Sequence, residues 1–238
     1  MRAVSFTILL CLGLSGAADA SEDWLSRAIA QAKPIRLEDW GLRQTVRVGD
    51  AEKPAMTIIA DHDPRRPMKD RWRIVSVTDS DGADSDAIDA NSQIEKDILD
   101  YATVVKGLDQ PRTLIREEDD TAVYALSNVD ADALLGEDLR MEVFDRDGLD
   151  AHVTVRKSGP GGPYVEQLVL LLPDGAGDTL LAQLDALDML MRFQPAAEGL
   201  IVPRSFNMML KGEALVFLNF NVSVDIVYDQ FVYYGDAQ

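Results

Sequence analysis

Near its end the chain alternates for thirteen residues without a break. Val216, Leu218, Phe220, Val222, Val224, Ile226 and Tyr228 occupy every second position, and between them stand Asn219, Asn221, Ser223 and Asp225. A period of two is the mark of a strand with one face in a core and the other in water. A strand of about 14 residues at ~3.3 Å per residue is about 45 Å long, roughly twice the usual length. Strands twist, so one this long has to bend as well. It therefore belongs to a curved sheet or an open barrel, not to a flat sheet.

Shorter segments supply the rest of such a sheet. Strands are predicted from Trp40 to Val48, from Ala55 to Ala60, from Trp72 to Val77, from Ala122 to Leu126, from Leu139 to Val143, from Leu149 to Val155, from Tyr164 to Leu172 and from Ser205 to Gly212. Trp72, Ile74 and Ser76 are expected to share a face. Asp145-Arg146-Asp147-Gly148 and Gly159-Pro160-Gly161-Gly162-Pro163 read as turns. Two helices are predicted. The first is Trp24–Ala32, stopped before Pro34. The second is Ser92–Gly107, with Ser92 and Glu95 as a capping box and Ile94, Ile98, Tyr101 or Ala102 and Val105 as its stripe. A helical turn is expected at Ala131–Leu135. Asp178–Phe193 is open between helix and strand.

The first twenty residues read as a secretory signal. Arg2 precedes an apolar stretch from Ala3 to Leu14, and Ala18-Asp19-Ala20 is a small-x-small cleavage site. The stretch is too short to span a ~30 Å hydrocarbon core. Cleavage after Ala20 removes Cys11, the chain's single cysteine, and leaves 21–238 as one disulfide-free domain in the periplasm, with no membrane span. Leu10 before Cys11 does not fit lipidation. The net charge is −18, with 23 basic against 41 acidic residues. A body this acidic is a poor partner for nucleic acid or an anionic membrane surface.

Catalytic and metal signatures were sought. His62 and His152 are the two histidines, and no G-x-S-x-G elbow or H-E-x-x-H accompanies them. A Ser-His-Asp triad would have to use one of the two. His62 lies between Asp61 and Asp63, which could orient an imidazole, but both histidines are expected at the surface. The acidic loop Asp79–Asp89 fails the EF-hand template. If Gly82 is its glycine, the first and last ligand positions fall on Val77 and Ile88. It reads as a solvated loop. No cofactor and no metal is called for.

Gln44-Thr45 in the first strand, then Arg66-Pro67, four residues and Trp72 with Arg71 just before it, make up a pattern that resembles the periplasmic lipoprotein carriers of the outer-membrane lipoprotein localisation pathway. The longer pattern Asp63-Pro64-x-x-Pro67 with Trp72 resembles uncharacterised secreted proteobacterial proteins of the same general fold. The resemblance implies an unclosed antiparallel barrel with a helical lid over a cavity for acyl chains, and it implies that Arg66 helps to hold the lid.

The expected fold is therefore α+β: a curved antiparallel sheet, an unclosed barrel, with helices on its concave face. The expected function is a non-catalytic binder or carrier of an apolar ligand, a lipid, an acyl chain or a lipoprotein. The candidate ligand-binding residues are Arg66, Trp72, Met189, Met191, Phe206, Met208, Leu210, Leu218, Phe220 and Val222. Two alternatives stand beside it: a secreted hydrolase using His62 or His152, and an envelope assembly partner without a small ligand.

Overall fold

The computed structural model describes residues 23–50, 54–79, 99–130, 134, 148–173, 182–214 and 218–235. The signal reading, the acidic loop beyond Asp79, Ser92–Ile98, Leu139–Val143 and all of the 131–135 turn but Leu134 lie outside them. Ten strands form one antiparallel sheet: β1 Trp40–Gly49, β2 Pro54–His62, β3 Trp72–Asp79, β4 Thr113–Glu117, β5 Thr121–Val129, β6 Leu149–Arg156, β7 Tyr164–Leu171, β8 Ala182–Pro195, β9 Ile201–Ala214 and β10 Leu218–Tyr233. Their spatial order is β3-β2-β1-β10-β9-β8-β7-β6-β5-β4. Strands β3 and β4 are the two edges and do not meet, so the barrel is unclosed. Each strand pairs with its sequence neighbour except at two places. The first strand joins the last, and the chain passes from one edge to the other between β3 and β4.

Two helices lie on one face, here called the inner face: α1 Trp24–Gln31 and α2 Tyr101–Lys106. The helix expected without a break over Ser92–Gly107 is interrupted within the described residues. Leu99 and Asp100 are not helical, and the Asp100 carboxylate caps α2 by accepting from the Thr103 amide at 3.1 Å. Its other oxygen accepts from the Ile35 amide at 2.9 Å, tying the segment after α1 to the start of α2. Of the stretch left open, Asp178–Phe193, the part from Ala182 is strand β8, and 178–181 lie outside the described residues.

The alternation at the chain's end forms β10, which runs on to Tyr233. Register shifts interrupt the sheet at several places, and two of them carry a residue with positive φ. Between Gly41 and Arg43 of β1 the register advances by three residues on β10, and Gln230 there has φ 54°. Between Leu126 and Val129 of β5 the same happens opposite β6, with Asn128 at φ 60°. An extra residue on one strand leaves the ladder locally and sharpens its twist.

Cross-strand register carries one apolar row over all ten strands. In spatial order from β4 to β3 it runs Leu114, Tyr124, Val153, Leu168, Met191, Phe206, Ile226, Val46, Ile58, Val77. Another register shift, between Ile59 and Ala60, corrects the predicted face of β3. Ser76 pairs with Ile59 and is exposed, while Val77 joins Ile74 and Trp72 inside. The outer face is ionic. Arg43 pairs with Asp61 at 2.7 Å, Arg47 with Asp225 at 2.7 Å and Arg156 with Glu166 at 2.8 Å, each across neighbouring strands. Here part of the chain's acidity is matched locally.

Candidate functional site

The helices cover only part of the inner face. Leu25 and Ala28 of α1, and Tyr101, Val104 and Val105 of α2 with Leu108 beyond it, bury one core with β5 to β9. Under them Val153, Leu168, Leu170, Met189 and Met191 are fully buried. Tyr101 meets the edge of Phe193 with ring centroids 5.1 Å apart, and its hydroxyl accepts from the Val165 amide at 2.9 Å. This half is filled by side chains. A cleft between the end of α1, Tyr101 and the turns at Gly161–Tyr164 and Gly199–Ile201 has a volume of about 20 Å³, room for about one water molecule.

The same face continues across β9, β10, β1 and β2, where Met208 and Leu210 still pack against the helix-covered core. Leu210 pairs with Val222, Met208 with Val224, Val224 with Val48, and Val48 with Met56. These six residues are cross-strand neighbours over β9, β10, β1 and β2. All are half-buried except Val222, which is 37% exposed. A strip of apolar surface thus adjoins a closed core, and it is the candidate site. A second buried cluster on the same face, Val46, Ile58 and Ala60, flanks it, with Val48 and Met56 packed against it.

The structure brings together six of the ten predicted residues. Met189, Met191 and Phe206 are core beneath or beside the helices. Met208, Leu210 and Val222 lie on the strip. The backbones of Leu218 and Phe220 extend β10 opposite Ala214 and Gly212; their side chains lie outside the described ones. Trp72 stands farther along the inner face, against His62 at 4.9 Å between ring centroids. Arg66 is an exposed loop residue whose ion pair, 3.6 Å from Asp63, lies within its own loop. Val48, Met56 and Val224 were missed as site residues. Their alternation was visible, but their adjacency depends on β1 pairing with β10, a contact between opposite ends of the chain.

The contacts that hold α1 come from elsewhere. Arg112 contacts Asp23 at 2.5 Å and also Ser26. Lys157 pairs with Glu117 at 2.8 Å, and Glu117 accepts from the Trp24 indole at 3.2 Å. The guanidinium of Arg27 lies 4.8 Å from the Trp24 ring centroid. Hydrogen bonds from Lys157 and then Trp24 hold the Glu117 carboxyl below its usual range.

The expectation that both histidines are at the surface is corrected for His62. It is 4% exposed, on the inner face of β2. Its Nδ1 lies 2.8 Å from the Trp40 carbonyl oxygen, so that nitrogen carries the hydrogen and donates it. Neither Asp61 nor Asp63 orients it, since these engage Arg43 and Arg65. Burial lowers its pKa, opposed by the Trp40 contact. His152 is exposed on the outer side of β6, opposite Ala125 and Val169. Neither histidine contacts a hydroxyl nucleophile among the described residues. Also among the described residues, no helix is long and apolar enough to cross a membrane, and no group of three or more His, Cys, Asp or Glu is placed to hold a metal ion.

The fold is an unclosed antiparallel barrel of the α+β class, with one face half covered by helices. No family model matches the chain, and no curated protein matches it. Among solved structures it is similar to a LolA superfamily protein from Nitrosomonas europaea. The two are 11% identical with a TM-score of 0.33, over 88% of this chain and 91% of that one.

Proposed function

We propose that this protein is a non-catalytic binder of an apolar, lipid-like ligand or acyl chain, acting in the periplasm. The carrying observation is the strip Leu210–Val222, Met208–Val224, Val48–Met56, where apolar side chains in cross-strand register stay half-exposed beside a filled core. Contiguous exposed apolar surface costs free energy in water and marks binding sites. Each CH₂ that a ligand buries there is worth about 0.8 kcal/mol. Met208 and Met56 suit ligands of variable shape, because their thioethers adapt at little cost. The pattern from Gln44 to Trp72, which resembles that of lipoprotein carriers, agrees with the reading.

The test is native mass spectrometry of the purified chain after lipid extraction, with titration of an apolar fluorescent dye. Copurified lipid or saturable dye binding that Val224→Asp weakens at least tenfold supports the reading. A protein that carries no lipid and binds no dye overturns it.

A further inference from the structure

The loop between β2 and β3 reverses the chain's sign. Arg65-Arg66-Pro67-Met68-Lys69-Asp70-Arg71-Trp72-Arg73 holds five bases and one acid, in a chain with 23 bases against 41 acids. Met68 is 82% exposed, the most exposed large apolar side chain among the described residues. The loop is held in shape. Its base closes where the Asp63 amide donates to the Arg71 carbonyl at 2.9 Å, and it turns where the Asp70 amide donates to the Pro67 carbonyl at 2.8 Å. The guanidinium of Arg65 donates to the Asp63 carboxylate at 2.8 Å and lies 4.5 Å from the Tyr234 ring centroid. Nearby acids are engaged by other arginines, Glu38 and Asp39 by Arg36 and Asp61 by Arg43. Among the described residues no carboxylate forms an ion pair with Lys69, Arg71 or Arg73. Half-buried Tyr233 and Tyr234 stand at the same end of the sheet, where β10 finishes beside the start of β1.

We propose that this loop docks the protein on an anionic lipid bilayer, with Met68 entering the acyl boundary and the bases around it meeting lipid phosphates. An apolar side chain set among bases suits that boundary, where apolar burial and attraction to anionic headgroups add. Tyrosine rings are favoured at headgroup level as well. An acidic protein surface would match the bases, but its acidity offers Met68 no apolar counterpart. The rest of the chain is acidic and is repelled by such a bilayer, so contact is confined to this end. Charges beyond a Debye length, about 8 Å at physiological ionic strength, act weakly, and the loop's own sign prevails there. The inference does not depend on the apolar-ligand reading.

The experiment is flotation of the purified protein with vesicles of phosphatidylglycerol and phosphatidylethanolamine, against vesicles of phosphatidylcholine alone, at low and at raised salt. Wild type is expected to bind the anionic vesicles about tenfold more tightly than the neutral ones, and raised salt should release it. Lys69→Glu should weaken the anionic binding about tenfold, and Met68→Ser severalfold. Both side chains are exposed, so the thermal unfolding temperature should not move in either variant. Equal binding to both kinds of vesicle, or binding to neither, overturns the proposal. Binding to neither is the outcome expected if the loop serves an acidic protein instead. Anionic binding that survives both substitutions lies elsewhere on the surface and overturns it too. Binding weakened by Lys69→Glu but untouched by Met68→Ser overturns the insertion of Met68.

Discussion

Arg112, at the entry to β4, reaches the N-cap of α1. Its Nη2 lies 2.5 Å from Oδ2 of Asp23, while Oδ1 of the same carboxylate accepts from the Ser26 amide at 3.0 Å. One aspartate thus caps the helix and anchors it to an edge of the sheet. Burial would raise the Asp23 pKa, but the hydrogen bonds from Arg112 and Ser26 outweigh that and hold it below its ordinary value. A carboxylate held low contributes stability above the unfolded-state pKa and loses it as pH falls through the folded one. Asp23→Ala is expected to cost about 1 kcal/mol, the usual worth of an N-cap. It should also speed hydrogen exchange in α1 more than in β5–β9, as read by mass spectrometry at pH 7. Arg112→Ala should do the same while the cap to Ser26 persists. Wild type and Asp23→Ala should draw together as pH falls through the lowered Asp23 pKa.

Tyr101 tests the filled half of the inner face. Its hydroxyl accepts from the buried Val165 amide at 2.9 Å, and burial raises its pKa, keeping the phenol neutral. Tyr101→Phe leaves that N–H unpaired and should cost about 1–3 kcal/mol. Urea unfolding at pH 7 measures it, with an unchanged m-value showing that the contact with Phe193 and the fold are kept. A cost under about 0.3 kcal/mol would mean that the amide finds another partner.

Legibility in the sequence followed the range of the interactions. Strands β6, β7, β9 and β10 could be read from alternation because each has one face in water, and α1 because its stripe is bounded by Pro34. The break before the second helix could not be read, because Leu99 and Asp100 sit inside a spacing that runs from Ile94 to Val105, while Asp100 gives its carboxylate to a cap at Thr103. Residues of the site could be read as apolar, since Met208, Leu210 and Val222 alternate. Their union with Val48 and Met56 could not, because it follows from β1 closing on β10. Nor could the burial of Gln44 and His62. Both are polar residues in half-polar strands, and only the register shows which face they take.

Gly162 sits where α1 ends over the turn between β6 and β7. Its φ is +106°, and a Cβ built there would collide with the side-chain amide of Gln31. Gln31 is exposed and its side chain can swing aside, so Gly162→Ala meets mainly backbone strain, and should destabilise by about 1–3 kcal/mol. Gly199 has φ +68°, and a Cβ there would meet only ordinary contacts at 3.6–3.7 Å. Asparagine visits that conformation readily. Gly199→Asn should cost less than about 1 kcal/mol. Thermal unfolding of the two variants in parallel gives the comparison, and equal losses would refute the greater backbone strain at Gly162.

His62 gives the fold a pH dependence of definite sign. Burial lowers its pKa, the hydrogen bond to Trp40 opposes that, and Arg71 nearby lowers it further. The unfolded chain takes up a proton near pH 6.5, while the native side chain stays neutral to a lower pH. Between those two values the unfolded state binds more protons, so stability falls as pH falls. His62→Phe keeps a ring against Trp72, at the expense of the Trp40 contact, and removes the titration. Urea unfolding at pH 7.5 and 5.5 should show the wild type losing stability on acidification and His62→Phe losing less. An equal loss in both would place the pH dependence in other groups. His152→Ala, exposed on the outer face, should stay within about 0.5 kcal/mol of wild type at pH 7.5. If the purified protein shows a hydrolytic activity that either histidine variant abolishes without unfolding, the non-catalytic reading falls.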